Sequence, residues 1–407
     1  MGIIGSIITA VIVLVMAIVI VQIIFNPYYL NVLEAKFSNA VSGLINNAQT
    51  ATIKATVATQ SNKQILYIAE NGNNTVALLD MQYNKIIGYI TLNGESPSNL
   101  AVGPNNRLYV AGSYYNYHDP QYHGLISIIN TSNEKVMGTI SMASVPTQIA
   151  VSTNGTYAYT INNNNTESSI NLQTMAVSGS FPFTTQNSNF TGTPEGLILS
   201  PSGKILFVLV NYGNCQDVPL FYSGQCSDEG LFALNASNIN QTIWQITLQP
   251  SNIYSSGPKQ LAISPNGATL YAMIGDDQGS ISTIAIINTK IQEETKNITF
   301  GFTDAGGTSL SMSPSGDYLY AVDGGVSDDV VAINTSTESI VDLKSIGYDV
   351  NVPTQLTDVA VTSNFTYIVD SSIGNGNYGL LVINRSNDSI TQNIGLGSVG
   401  PSEIIAS

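Results

Sequence analysis

The chain has 407 residues, 43% of them apolar and only 10% charged, against about a quarter charged in an ordinary soluble domain. Its 12 Lys plus Arg stand against 27 Asp plus Glu, a formal net charge of -15, which excludes a phosphate-tracking nucleic-acid binder because there is no basic surface to release counterions. The 35 Gly and 15 Pro are ordinary shares that exclude collagen and low-complexity disorder, while neutral polar residues and 21 Tyr take the place of charge. A surface wetted this way stays soluble when carboxylates are protonated, so an extracellular, acidic and hot setting is expected, with solubility flat down to about pH 3.

Residues 3–25 read IIGSIITAVIVLVMAIVIVQIIF, and no charged residue precedes Glu34. As a helix this run is long enough to cross a bilayer at about 1.5 Å per residue. Only Met1 and Gly2 come before it and neither is basic, so a leader is expected to have been removed. Pro27, which lacks an amide proton, is expected to kink the helix near Asn26. Apolar residues then resume at helical spacing with Leu30, Leu33, Phe37, Val41 and Leu44, so residues 1–50 read as one long helix and 51–60 as a linker. A solvent-exposed linker would not keep such a stripe, which asks for a partner helix.

This arrangement resembles the N-terminal helix of mature type IV pilins and of archaeal pilus and archaellum subunits. Gly5 stands where bacterial pilins carry a glutamate, so the archaeal members are the better match. The resemblance implies a filament core in which Ile7, Val11, Val15, Ile18, Val21 and Ile24 pack together with the later stripe, after insertion of the precursor in a membrane. A plain membrane anchor and a retained signal sequence are the other two readings of the segment.

After Ala51 the apolar period changes to two, marking a helix-to-sheet boundary. A phrase then recurs: PSNLAVGPNNRLYV, PTQIAVSTNGTYAYT, PEGLILSPSGKILFV, PKQLAISPNGATLYA, TSLSMSPSGDYLYAV and LTDVAVTSNFTYIV. Between copies lies a second phrase, such as LISIINTSNEKVMGTISM, in which an apolar strand ends in Asp80, Asn130, Asn334 or Asn384 before a polar turn. Four short strands per unit are the signature of a β-propeller blade. Together the phrases resemble the YVTN-type surface-protein propeller repeats over nearly all of residues 60–407. The end PSEIIAS is a first strand lacking a second, and KQILYIAE near residue 63 is a second lacking a first. Joining them gives seven blades in residues 61–407 with no exposed sheet edge. The expected fold is therefore a long N-terminal apolar α-helix followed by an all-β seven-bladed propeller closed by its two ends in one blade.

Turns between strands one and two, and three and four, are uniformly short. The long connections, 113–124, 184–193, 211–230 and 249–257, all belong to the other face, which marks it as the contact face. One of them carries Tyr114, Tyr115, Tyr117, His118, Tyr122 and His123, an aromatic-rich candidate binding loop suited to carbohydrate or protein contact. A metal there would need further ligands, and acids at Asp276, Asp277, Asp323, Asp328 and Asp329 follow no calcium-loop spacing. Cys215 and Cys226, ten residues apart in another connection, read as a loop-closing disulfide outside the cell. Candidate glycosylation sequons start at Asn73, Asn130, Asn154, Asn164, Asn189, Asn235, Asn240, Asn297, Asn334, Asn364, Asn384 and Asn387.

No nucleophile elbow, phosphate loop or metal signature appears, so neither an enzyme nor a bound cofactor is expected. The sequence points to a structural subunit of an extracellular pilus-like filament, a homopolymer with propellers outside and an adhesive role toward surface glycans or other cells. The alternative is a membrane-anchored surface propeller that binds glycan or protein as a single molecule.

Overall fold

The structure, a computed structural model, describes residues 64–407 apart from the connections 184–191, 212–228, 249–254, 277–280, 302–306, 324–328, 346–355, 374–376 and 398–400. Two compact units divide the chain, residues 1–63 and 64–407. The second is all-β: seven four-stranded antiparallel sheets with one short 3-10 turn, Asn71–Asn73, and no α-helix among the described residues. The fold class is thus a seven-bladed propeller alone, and the long N-terminal helix is corrected out of it. An unbroken apolar run satisfies a spacing of three and four as readily as any other period, so the pattern at Ile7, Val11, Val15, Ile18, Val21 and Ile24 did not specify a helix. Those positions, the kink at Pro27 and the stripe Leu30, Leu33, Phe37, Val41 and Leu44 lie outside the described residues. No helix among the described residues is long and apolar enough to cross a membrane.

Blades 2 to 7 occupy 96–142, 146–182, 193–247, 255–301, 307–345 and 356–397, each a run of four consecutive strands. Blade 1 takes three strands from 65–91 and its innermost from Pro401–Ala406, which pairs antiparallel with Ile65–Glu70 from Leu66↔Ala406 to Glu70↔Pro401. Closure is tightened by Ser407, whose amide donates to the Ile65 carbonyl at 2.9 Å and whose hydroxyl accepts from the Ile65 amide at 2.9 Å. The joint therefore falls on Ile65, within the phrase KQILYIAE.

Inner strands are covered on both sides by neighbouring blades and so read as apolar runs, as in the wholly buried Ile65–Glu70. Outer strands face solvent on one side and alternate, as in Lys85–Thr91 and Lys135–Met142. Burial is organised between blades: each of the seven apolar clusters joins two adjacent blades, and the cluster of Leu66, Ile68, Tyr367 and Val382 joins the last blade to the first. The ring is closed by hydrophobic burial as well as by strand pairing.

A polar belt runs inside these clusters. Every innermost strand bulges at the same place, and the residue after the bulge is Asn99, Gln148, Gly196, Gln260, Ser309, Asp358 or Glu403 in blades 2 to 7 and 1. Its side chain reaches the next blade's backbone. The Ile149 amide donates to Asn99 Oδ1 at 3.0 Å, Leu197 to Gln148 Oε1 at 3.1 Å, Val359 to Ser309 Oγ at 3.4 Å and Ile404 to Asp358 Oδ2 at 2.7 Å, and Leu310 donates to Gln260 Oε1. Glu403 completes the circuit by bonding the Asn99 side chain. Blade 4 alone breaks it, since Gly196 has no side chain to offer.

The short turns explain the recurring Ser-Pro-x-Gly and its variant Ser-Thr-Asn-Gly at Ser152. Ser152, Ser200, Ser264 and Ser313 each accept, through Oγ, the amide five residues on, at 2.9–3.1 Å. Gly155, Gly203, Gly267 and Gly316 hold positive φ, which side-chain-bearing residues adopt only at a cost. At Gly316 the previous blade also closes in: an added Cβ would sit 2.7 Å from Pro265 Cδ. Gly316→Ala is therefore expected to lose about 2 kcal/mol, from strain and clash together, read as a lower urea midpoint at unchanged m-value. A midpoint equal to the parent would show that the turn relaxes freely.

Candidate functional site

Chain direction places the connections between strands two and three, and between blades, on one face of the ring. The connection 113–124 is described, and it is a β-ribbon where the sequence suggested a loop. Strands Arg107–Asn116 and Gln121–Asn130 run on past the blade with paired residues Tyr114↔His123, Tyr115↔Tyr122 and Asn116↔Gln121. Its Tyr-rich composition suits a pleated strand, and the His118 amide bonded to Asn116 Oδ1 at 3.0 Å shapes the turn. At the root the next connection crosses so closely that a Cβ on Gly124 would lie 2.1 Å from the Ser144 carbonyl oxygen.

Alternation gives the ribbon two different sides. On one, Tyr115 and Tyr122 stand opposite each other and Tyr117 joins them, with Tyr115 in edge contact with both at centroid distances of 5.2 Å. On the other, Tyr114 stacks on His123 at 5.3 Å, and His123 Nε2 lies 3.3 Å from Asp119 Oδ2. Tyr117 is 88% exposed and Tyr122 66%, with Tyr115 and Tyr114 near 40%. His118 is exposed at the turn, so the two imidazoles do not converge. Among the described residues no group of three or more His, Cys, Asp or Glu could hold a metal ion.

Sequence reasoning passed over the buried carboxyls. Glu95, in the connection from blade 1 to blade 2, lies against the ribbon root. Ser127 Oγ donates to its Oε2, Oε1 has no hydrogen-bond partner, and burial pushes its carboxyl up to about 8. Glu167 of blade 3 is fully buried with neither oxygen bonded, and burial pushes it up to about 8 as well. Counted back from the turn Asn or Asp, the other six blades carry Val76, Ile126, Leu231, Ile284, Val330 and Leu380 there, so phrase alignment extended one residue before SSINLQ would have exposed it. Asp358, pushed up to about 6 by burial against three hydrogen bonds, faces Glu403, whose carboxyl burial and the Asp358 charge together raise well above the ordinary range. All four are carboxyls held toward the neutral form. They belong to the packing of the ring.

The structure sorts the sequons by face. Asn154 and Asn364 sit in first turns, and Asn130, Asn235, Asn334, Asn384 and Asn387 at third-to-fourth turns, all on the plain face; Asn73 and Asn164 lie on the ribbon's face, and Asn240 and Asn297 on outer strands. At Asn130, Asn235, Asn334 and Asn384 the side-chain oxygen accepts the amide two residues on, at 2.8–2.9 Å. Asp80, Asn171 and Asn288 do the same where no sequon follows. The turn requires that side chain in all seven blades. Asn189, Cys215 and Cys226 lie outside the described residues, as do Asp277 and Asp328 and the side chains of Asp276, Asp323 and Asp329.

No family model matches the chain, and no curated protein matches it. Its likeness is to solved structures. A protein from Bacteroides uniformis, provisionally assigned as a 6-phosphogluconolactonase, superposes with a TM-score of 0.59 at 15% identity over 85% of this chain and 100% of its own. Hydrazine synthase from Kuenenia stuttgartiensis gives 0.57 at 15% identity over 79% and 92%. The β-propeller domain of Cps50 (Swd1) from Myceliophteria thermophila gives 0.54 at 10% over 78% and 95%. At these identities the likeness shows the propeller fold alone.

Proposed function

We propose that the chain is a subunit of a pilus-like surface filament, assembled through its uncharged leading segment, with the propeller as an outward adhesive head and no catalytic role. The observation that supports this most is the two-faced ring. Gln64 lies on the face of short turns, while the aromatic ribbon stands on the opposite face with its tyrosines exposed for contact. The 33 residues before Glu34 carry no charge and can be buried against copies of themselves at no cost in desolvated ions. Sequons gathered on the plain face would carry neutral glycans, making up for scarce surface charge.

Size distributions of the full chain and of residues 64–407 provide the test. The full chain is expected to sediment as long polymers and the shorter one as monomers. Equal polymerisation by both, or a full chain recovered solely as single detergent-bound molecules, would overturn the filament reading, the second outcome favouring a membrane-tethered binding protein.

A further inference from the structure

We infer that the Tyr115–Tyr117–Tyr122 side of the ribbon is a binding site for uncharged saccharides. The inference rests on the surface-display reading above and adds the class of ligand. The three rings do not form a flat apolar plate. Tyr117 and Tyr122 meet Tyr115 at interplanar angles of 81° and 65°, so the rings form a corner with faces and edges both presented. A pyranose offers the complement: a patch of C–H groups to lie on a ring face, and a rim of hydroxyls for the phenolic oxygens, each of which donates and accepts.

Charge selects the uncharged members of the class. The ribbon beyond the blade carries no Lys or Arg, its one carboxylate, Asp119, is held 3.3 Å from His123 on the other side, and the whole chain is at -15. At neutral pH sulfated, phosphorylated or uronic-acid glycans would meet no Lys or Arg here and a repulsive field. Size argues against a protein ligand. At exposures of 41%, 88% and 66%, three tyrosines offer about 400 Å² of contact surface, half of the roughly 800 Å² a stable protein partner covers on each side, yet enough for one or two sugar rings. No Val, Leu, Ile or Met accompanies them on the ribbon between Tyr114 and His123.

The test uses the full chain with mannohexaose, cellohexaose and maltohexaose, followed by saturation-transfer NMR and by titration. At least one hexasaccharide is expected to bind with a Kd in the millimolar range or below. The double variant Tyr115→Ala, Tyr122→Ala should weaken it about tenfold or more at an unchanged unfolding midpoint. Tyr83→Ala, at a tyrosine 69% exposed on the plain face, should leave binding unaltered. Silence of all three sugars, or equal binding by the double variant, would overturn the inference, as would loss of a protein partner in that variant with the sugars silent. Polymer length in the same samples is read independently, so sugar binding without polymers would count against the filament and not against this site.

Discussion

Glu167→Leu is expected to stabilise the propeller, and to do so only above acidic pH. The side chain occupies a site that six blades fill with Val, Ile or Leu, is fully buried and has neither oxygen bonded. With a folded value of about 8 against 4.5 for the free group, the folded state holds this proton more tightly than the unfolded chain does. The stability tied to the proton is therefore complete below pH 4.5 and is lost as pH rises toward 8. A shift of that size corresponds to about 5 kcal/mol at most, and part of it is offset by relaxation around the ionised carboxyl, so a gain of about 2–4 kcal/mol is expected at pH 8.5, against about 1 kcal/mol or less at pH 4. With an unfolding entropy of about 2.1 cal/mol/K per residue, the midpoint should rise about 4 °C at the higher pH. A variant less stable than the parent at both pH values would mean that the carboxyl has a partner. Glu95, also raised to about 8, and Asp358, raised to about 6, carry the same sign. The parent propeller should then be most stable near pH 4 and weaken through neutrality, in keeping with the acidic setting its composition suggests.

Removing residues 401–407 is expected to abolish cooperative folding. The deletion strips the innermost strand from blade 1, exposes Leu66 and Ile68, takes away the Ile404 amide that Asp358 accepts and splits the cluster joining the last blade to the first. About six backbone hydrogen bonds at about 1 kcal/mol each and the burial of Ile404 and its neighbours at about 2 kcal/mol per side chain together rival the 5–15 kcal/mol stability of a typical protein. Loss of near-ultraviolet circular dichroism and of a sharp urea transition is the expected result; a transition like the parent's would mean that the ring does not depend on its closing strand.

Repetition made the ring legible in the sequence. Turn chemistry is local, so Asn130, Asn334 and Asn384 announce their turns, and Ser-Pro-x-Gly announces the first turns of blades 4, 5 and 6. PSEIIAS and KQILYIAE declared by their incompleteness that they belong together. The bulge and belt were hidden because Asn99, Gln148 and Asp358 look like ordinary strand polar residues until the next blade's amides are placed beside them. The ribbon at 113–124 was taken for a loop since its turn residues, Asp119 and Pro120, outweigh the strand preference of the tyrosines when no pairing is known. Glu167 escaped notice because blade 3 departs most from the shared phrases. In residues 1–50 the apolar run carried composition but not a period, and a helix did not follow from it.

The filament is tested most directly by negative-stain imaging of material sheared from the cell surface, labelled with antibody against residues 64–407. Regular fibres decorated along their length are the expected result. Fibres without label, with the antigen confined to single molecules released by detergent, would contradict it.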